Sequence, residues 1–432
     1  MSTSMNTPSP GESRLAPNVP RASRHANDVP QQAHLEFQGY VRPDGRVGTR
    51  NHIGIFVVGN CGATTARMVA DHFTSKRLAS YGNVDGVVPF VHELGCGMEM
   101  TGEPMNLLRR TIAGTIRNPN IVGAVVIALG CERNNIRGFF EQEKLVAGPM
   151  LHMIVMQEIG GTANAVAAGI AAVEEMLPMA DACQREPVPA RHLVVGLQSA
   201  AVDDLAARSA NPVLGAAVDL LVEAGGTAIL SETSDLAALQ EQVARRAASA
   251  QVGGRIAQRI HWWKTYTHGR DTQLTRTSGS NPGGMASSAD NAISGFLRAG
   301  SSPIQAVLEY AHPVNANGLV LMDAPAYAAV SATGQVASGA NLVALTTGLG
   351  STFGAAGVPT VKLVSNSAAF ARMEDDSDID CGPVLDGSTG VLEMAQVVLQ
   401  RWLEYASGEL TKSEELGVGD NEYVPWPIGV LA

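Results

Sequence analysis

The sequence predicts an α/β protein of two domains, each a largely parallel sheet flanked by helices. Three observations carry that expectation. Short apolar runs rich in Val and Ile recur between turns, as buried parallel strands do. Three of these runs end in glycine-flanked cysteine turns, at Cys61, Cys96 and Cys131, spaced 35 residues apart. Such a spacing accommodates one strand, one helix and two loops, the size of a βαβ repeat. Finally, 46 glycines in 432 residues exceed average usage and imply many tight turns.

Residues 1–36 are rich in Ser, Pro, Asn and Arg without periodicity and read as a disordered tail. The first domain is expected over 37–190, opening with a basic turn over 39–46. A strand over 53–58 leads to Asn60-Cys61-Gly62. A second, 87–91, leads to His92 and Gly95-Cys96-Gly97. A third, 124–129, leads to Gly130-Cys131-Glu132. A fourth strand covers 153–156. Thr162 can cap the next helix, whose stripe is Val166, Ile170, Val173 and Leu177, and Pro178 is expected to stop it. Residues 180–191 read as an inter-domain linker.

The second domain, 191–432, begins with a strand over 192–196. Asn211-Pro212 reads as an N-cap with a first-turn proline, and Gly225-Gly226 ends that helix. The strand 228–230 presents Ser231-Glu232, and a helical stretch ends near Trp262-Trp263. Residues 277–284 form a Gly/Ser/Asn/Pro loop, and Ser302-Pro303 is expected to start a short helix. Strands follow at 319–322, 341–347 and 360–364. A helix over about 391–406 and an apolar tail docking over 424–428 complete the chain. This strand–helix alternation makes the second domain Rossmann-like.

Hydrophobic residues make up 45% of the chain and charged residues 16%, the balance of a globular protein. A net charge of −11 argues against a sequence-independent nucleic-acid binder. No apolar run approaches the about 20 residues of a membrane span. Five widely separated cysteines without a secretory h-region point to reduced thiols in a cytoplasmic protein.

Three thiols delivered to one sheet edge are a soft ligand set suited to iron–sulfur clusters or zinc. Cysteine is equally a small residue that fits tight strand-to-helix turns. His92, Glu93, Glu132, Glu158 and Glu232 also fall at or near strand ends, where they can transfer protons or simply cap turns. Gly348, Gly350 and Ser351 belong to a glycine-lined loop that lacks the Lys-Ser/Thr of a P-loop and suits a carboxylate better than a nucleotide.

Taken together, several motifs resemble the altronate/galactarate dehydratase family of sugar-acid hydro-lyases, which includes the large subunit of sulfolactate sulfo-lyase. They include the 39–46 turn with Arg50-Asn51, the three cysteine motifs, Gln157-Glu158 with Gly160-Gly161-Thr162, and Ala210-Asn211-Pro212. Leu230-Ser231-Glu232-Thr233, residues 331–335 and 378–382, and Lys412–Gly417 followed by Val424-Pro425-Trp426 complete the set. The resemblance covers about 37–432. It implies metal-dependent elimination from a small hydroxy acid, with iron (Fe2+ or an iron–sulfur cluster) or alternatively Mn2+. By the same resemblance, Cys61, Cys96 and Cys131 are metal ligands, and Glu132, Glu232 and His92 are catalytic. Arg46, Arg50, Asn211, Gly348, Gly350 and Ser351 are expected to bind substrate. A separate small SAF-type subunit and a homo-oligomer are the expected partners.

This chain departs from the family pattern at three places. Ser199-Ala200-Ala201-Val202-Asp203 stands where the family has Cys-Gly-Gly-Ser-Asp. Residues 279–284 lack the family's lysine, and Leu349 stands for an arginine. Leucine cannot replace a bidentate carboxylate partner. The expected substrate is therefore a shorter hydroxy acid with fewer polar groups than a hexarate, and galactarate and altronate are expected to be poor substrates. A rival reading from another class is a non-catalytic paralogue that binds a ligand or partner.

Overall fold

A computed structural model describes residues 35–200, 204–269 and 288–429. The expected tail over 1–34, Ala201-Val202-Asp203 and the 279–284 loop lie outside the described residues. Among those described, no helix is long and apolar enough to cross a membrane.

Strands β1 (Glu36–Val41) and β2 (Val47–Gly48) form an antiparallel pair. β3 (His52–Val57), β4 (Gly86–Phe90), β5 (Ile121–Ala128) and β6 (Leu151–Val155) then build a parallel sheet in the order β4-β3-β5-β6. Side chains alternate across a strand, and both faces of this sheet are covered. Ile53, Ile55 and Val57 pack with Val69, Val173 and Met176 from the helices Ala63–His72 and Thr162–Asp181. Phe56 and Val58 pack with Met105, Leu108 and Ile112 of the helix Glu103–Ile116. Burial on both sides is why the strands read as unbroken apolar runs. Pro89 is tolerated because β4 is an edge strand.

The expected linker contains a strand, β7 (Arg185–Pro189), which pairs antiparallel with β1 and completes a three-stranded sheet. Its prolines mimic a linker, but an edge strand accommodates them. The helix before it runs through Pro178 to Asp181, accommodating a proline that cannot donate to the carbonyl one turn back. Thr162 is its first residue, after Gly161 at φ 102°.

The second parallel sheet contains β8 (Val194–Ala200), β9 (Thr227–Leu230), β10 (Ile304–Leu308), β11 (Gly318–Met322), β12 (Leu342–Thr347), β13 (Thr360–Val364) and β14 (Ile379–Asp380). Its order is β10-β11-β9-β8-β12-β13-β14. Apart from edge strand β10, this is the Rossmann order, reversing between β8 and β12. The residues expected to start a helix at Ser302-Pro303 lead into β10, whose Ile304, Val307 and Leu308 are buried and whose backbone pairs with β11. The expected cap Asn211 lies inside the helix Ala210–Glu223, one residue beyond its start.

Buried amides tie the two parallel sheets together. Asn118 Nδ2 donates to the carbonyls of Val336 and Ala340, each at 2.8 Å. Asn341 Nδ2 donates to Val47 O at 2.9 Å, and Thr49 Oγ1 to Asn341 O at 2.6 Å.

Candidate functional site

In the four-stranded sheet the order reverses between β3 and β5, so the crevice at their carboxyl ends is the expected ligand position. Cys61 follows β3, Cys96 follows β4 and Cys131 follows β5. Cys61 and Cys96 bring their sulfurs to 4.0 Å. Burial raises the Cys96 thiol pKa, with smaller contributions from Cys61, Glu132 and Cys131. The Cys96 turn needs its glycine: Gly95 sits at φ 101°, and a Cβ there would be 2.3 Å from Val58 O. Cys381 lies in the core of the second sheet and Cys183 at the end of the Thr162–Asp181 helix, both apart from these turns.

Three thiols and a neighbouring carboxylate suit a soft metal in donor chemistry. Among the described residues, no group of three or more His, Cys, Asp or Glu side chains is placed so that it could hold a metal ion.

Glu132 flanks the same point. A methyl group on Gly59 would lie 2.7 Å from Glu132 Cγ and 3.6 Å from Cys96 Sγ. The Glu132 carboxylate accepts the N–H groups of Leu129 and of Gly130, the latter at 2.7 Å, which orients it within its turn. His92 is buried, with Nε2 3.0 Å from Val57 O and Nδ1 accepting Leu94 N–H at 3.2 Å. Burial lowers its pKa to about 4, so it is a neutral clasp between the ends of β3 and β4. Glu158 is exposed and pairs with Arg137.

Other expected site residues do not reach this edge. Arg46 and Arg50 precede β3, at the opposite end of the sheet from the cysteines. Arg46 is exposed and bonded to Asp44 and to Arg117 O. Arg50 is engulfed by Glu414 and three carbonyls. The tertiary fold uses these cations structurally, which their place before a strand did not reveal.

Glu232, Asn211, Gly348, Gly350 and Ser351 belong to the second sheet. Glu232 follows β9 in the left-handed region, at φ 67°, and forms a buried ion pair with Arg298. Asn211 donates to Ser294 O and Oγ and accepts from Thr346 Oγ1 at 2.6 Å. The loop after β12 closes on itself: Gly350 N–H donates to Thr347 Oγ1, and Ser351 Oγ accepts Phe353 N–H. A Cβ on Gly350, at φ 97°, would meet Met373 Sδ at 2.2 Å, so close packing accounts for this glycine. Arg372 donates to Leu349 O at 3.1 Å.

Beside the cysteine edge lies a cavity of about 770 Å³, walled by Asn60, Arg67, His92 and Glu93 on one side and by Asp420, Asn421 and Tyr423 on the other. Sequence reasoning missed Arg67, although it sits one helical turn into the helix that starts at the Cys61 turn. The C-terminal wall continues into Val424, Pro425 and Pro427 of the tail expected to dock, whereas Asp420, Asn421 and Tyr423 carried no sequence signal of their own.

Two family models match this chain. Residues 39–181 match the D-galactarate dehydratase/altronate hydrolase second domain, and residues 190–431 match the D-galactarate/altronate dehydratase C-terminal domain. Galactarate dehydratase (L-threo-forming) of Escherichia coli K12 is 31% identical over 93% of this chain and 78% of its own length. Altronate dehydratase of the same organism is 28% identical over 90% of this chain and 77% of its own. The (2R)-sulfolactate sulfo-lyase subunit beta of Chromohalobacter salexigens is 28% identical over 88% of this chain and 95% of its own. With more than half of its length matched by the C-terminal model and a fold of two parallel α/β sheets, the chain belongs to the D-galactarate/altronate dehydratase family of lyases.

Proposed function

We propose that this protein is a metal-dependent lyase that eliminates water or sulfite from a small hydroxy acid. The observation that carries the reading is the 4.0 Å approach of the Cys61 and Cys96 sulfurs at a strand-order reversal, with Glu132 and the Cys131 turn at the same sheet edge beside a cavity. Cys61, Cys96 and Cys131 are the residues that would hold iron, by the chemistry of their donors. When bound, it supplies a Lewis acid for the leaving group. Elimination also needs a base for the proton next to the carboxylate. Glu132 is that base: it is the carboxylate beside Cys96, and two backbone N–H donors fix its direction. His92 keeps the β3 and β4 ends together rather than moving protons. A small second subunit completes the enzyme, as the likeness to a sulfo-lyase subunit beta suggests.

One feature favours the rival, a ligand-binding paralogue without turnover. Leu349 puts an apolar side chain where family members carry a guanidinium, and the Gly348–Ser351 amides are partly spent on the loop itself.

The test is anaerobic purification with iron and sulfide analysis, then assay of a hydroxy-acid panel with and without a small SAF-type protein. Iron lost in Cys61→Ser and Cys96→Ser but kept in Cys183→Ser, with turnover of at least one acid, is the expected result. Iron retained in all three variants removes the cysteine site. Absence of turnover with metal and partner present leaves the non-catalytic reading.

A further inference from the structure

Among the described residues, Cys61 and Cys96 are the one pair of thiols that the fold brings together. Their sulfurs lie 4.0 Å apart, and no sulfur contact of that length joins either of them to Cys131. As the side chains stand, this edge presents a dithiol rather than a set of three metal donors.

Backbone contacts keep the two turns adjacent. Asn60 N–H donates to Leu94 O at 3.2 Å, which ties the residue before Cys61 to the second residue before Cys96. Asn134 N–H donates to Gly95 O at 3.0 Å, so the base of the Cys96 turn is pinned. Beyond that base the turn is free to adjust. Gly97 sits at φ 65°, and a Cβ there would meet no atom within 4 Å. A disulfide needs its sulfurs about 2.05 Å apart, so closure asks for an approach of about 2 Å. Rotation of two side chains, with a glycine beside one of them, spans that distance. Exposure sets the order of events: Cys61 is exposed to an oxidant, whereas Cys96 is half-buried behind it.

We propose that Cys61 and Cys96 form an oxidative modification site, at which a hydroperoxide oxidises Cys61 and Cys96 then closes a Cys61–Cys96 disulfide. In the first step the Cys61 sulfur attacks the peroxide, an S–O bond forms, the O–O bond breaks, and an alcohol leaves with the thiol proton. In the second the Cys96 sulfur attacks the Cys61 sulfur, an S–S bond forms, the S–O bond breaks, and water leaves with the Cys96 proton. The two thiols lose two electrons and two protons, and the hydroperoxide is reduced to alcohol and water. A dithiol reductant reverses the change. This inference goes beyond the lyase reading and needs no iron. Where iron is held, metal and disulfide exclude one another, because both use the same thiolates.

The experiment treats the full chain, stripped of metal with a chelator under anaerobic conditions, with tert-butyl hydroperoxide. The protein is then denatured in an alkylating reagent and its peptides are mapped without reductant. The expected result is loss of two of the five alkylatable thiols, a peptide linking Cys61 to Cys96, and full return of both thiols with dithiothreitol. Cys131→Ser should give the same linkage at the parent's yield, and Cys96→Ser should leave a sulfenic acid at Cys61, captured by a 1,3-dione. Five thiols remaining in the treated parent would overturn the inference. So would linkage of Cys131 to either partner as readily, or oxidation of Cys61 that goes on to sulfinic acid without linkage. An iron-loaded sample separates this inference from the lyase reading. Slower linkage in that sample supports both. Linkage at the metal-free rate with iron retained supports the dithiol and removes these cysteines from the metal site.

Discussion

Replacing Arg50 with alanine is expected to damage stability rather than substrate binding. The Arg50 side chain is 1% exposed and donates five hydrogen bonds. Two go to Glu414, at 2.7 and 2.8 Å, in a bidentate pair. The rest reach the carbonyls of Thr49, Tyr405 and Glu409, each at 2.8 Å. Removing one partner of a buried pair strands the other and costs about 3–5 kcal/mol. Each carbonyl that water does not reach adds about 1 kcal/mol. Arg50→Ala should therefore lose at least about 4 kcal/mol, read as a lowered denaturant midpoint. The double change Arg50→Met/Glu414→Leu should recover much of it, because it leaves no charge unpaired. The pair also has a pH signature. Burial opposes ionisation of Glu414, but Arg50 and the Thr411 donors outweigh it and hold its pKa below the usual 4.5. A depressed carboxylate pKa stabilises the fold above 4.5, and that contribution fades as pH falls through the folded-state value. A loss under about 1 kcal/mol, or a raised KM for the acid at unchanged stability, would refute this reasoning and return Arg50 to the substrate.

Two further outcomes are expected. His92 has its pKa lowered by burial from 6.5 to about 4, so the folded state resists its protonation. Stability should fall as pH drops from 6.5 towards about 4, by up to about 3 kcal/mol, and His92→Asn should flatten that slope in denaturation midpoints measured against pH. An unchanged slope in the variant would show that His92 titrates freely. Trp426 is 4% exposed and stacks on Trp263 with ring centroids 5.4 Å apart. Trp426→Ala should cost about 3–5 kcal/mol in thermal or chemical unfolding and loosen the cavity wall it anchors, raising KM for the acid. A variant as stable as the parent would mean that the C-terminal segment docks independently of this ring.

The first sheet was readable because its central strands β3 and β5 are buried on both faces. Ile53–Val58 and 124–129 therefore carry no polar interruption, and their cysteine turns fall at one edge whatever the helices between them do. The segment expected as an inter-domain linker does fall between the two matched domains, but the linker-like composition of Arg185, Glu186, Pro187 and Pro189 hid the strand within it. Strand pairing with β1 depends on a partner almost 150 residues away, and composition does not report partners. The Ser302-Pro303 error has the same cause. Proline marks a helix start and a strand entrance equally well, and only the seat beside β11 separates them.

By itself, then, the chain determined its buried central strands, their parallel direction and the placement of Cys61, Cys96, Cys131 and Glu132 just after β3, β4 and β5. These follow from local periodicity and turn chemistry. Tertiary structure alone decided what each cation does. It spent Arg50 on Glu414, 364 residues along the chain, and left Arg67 facing Asp420 and Asn421 across a cavity. An arginine's charge is the same in every context; its role depends on whether a carboxylate arrives beside it. That arrival is a long-range event, encoded in the packing of the whole chain rather than in the residues next to it.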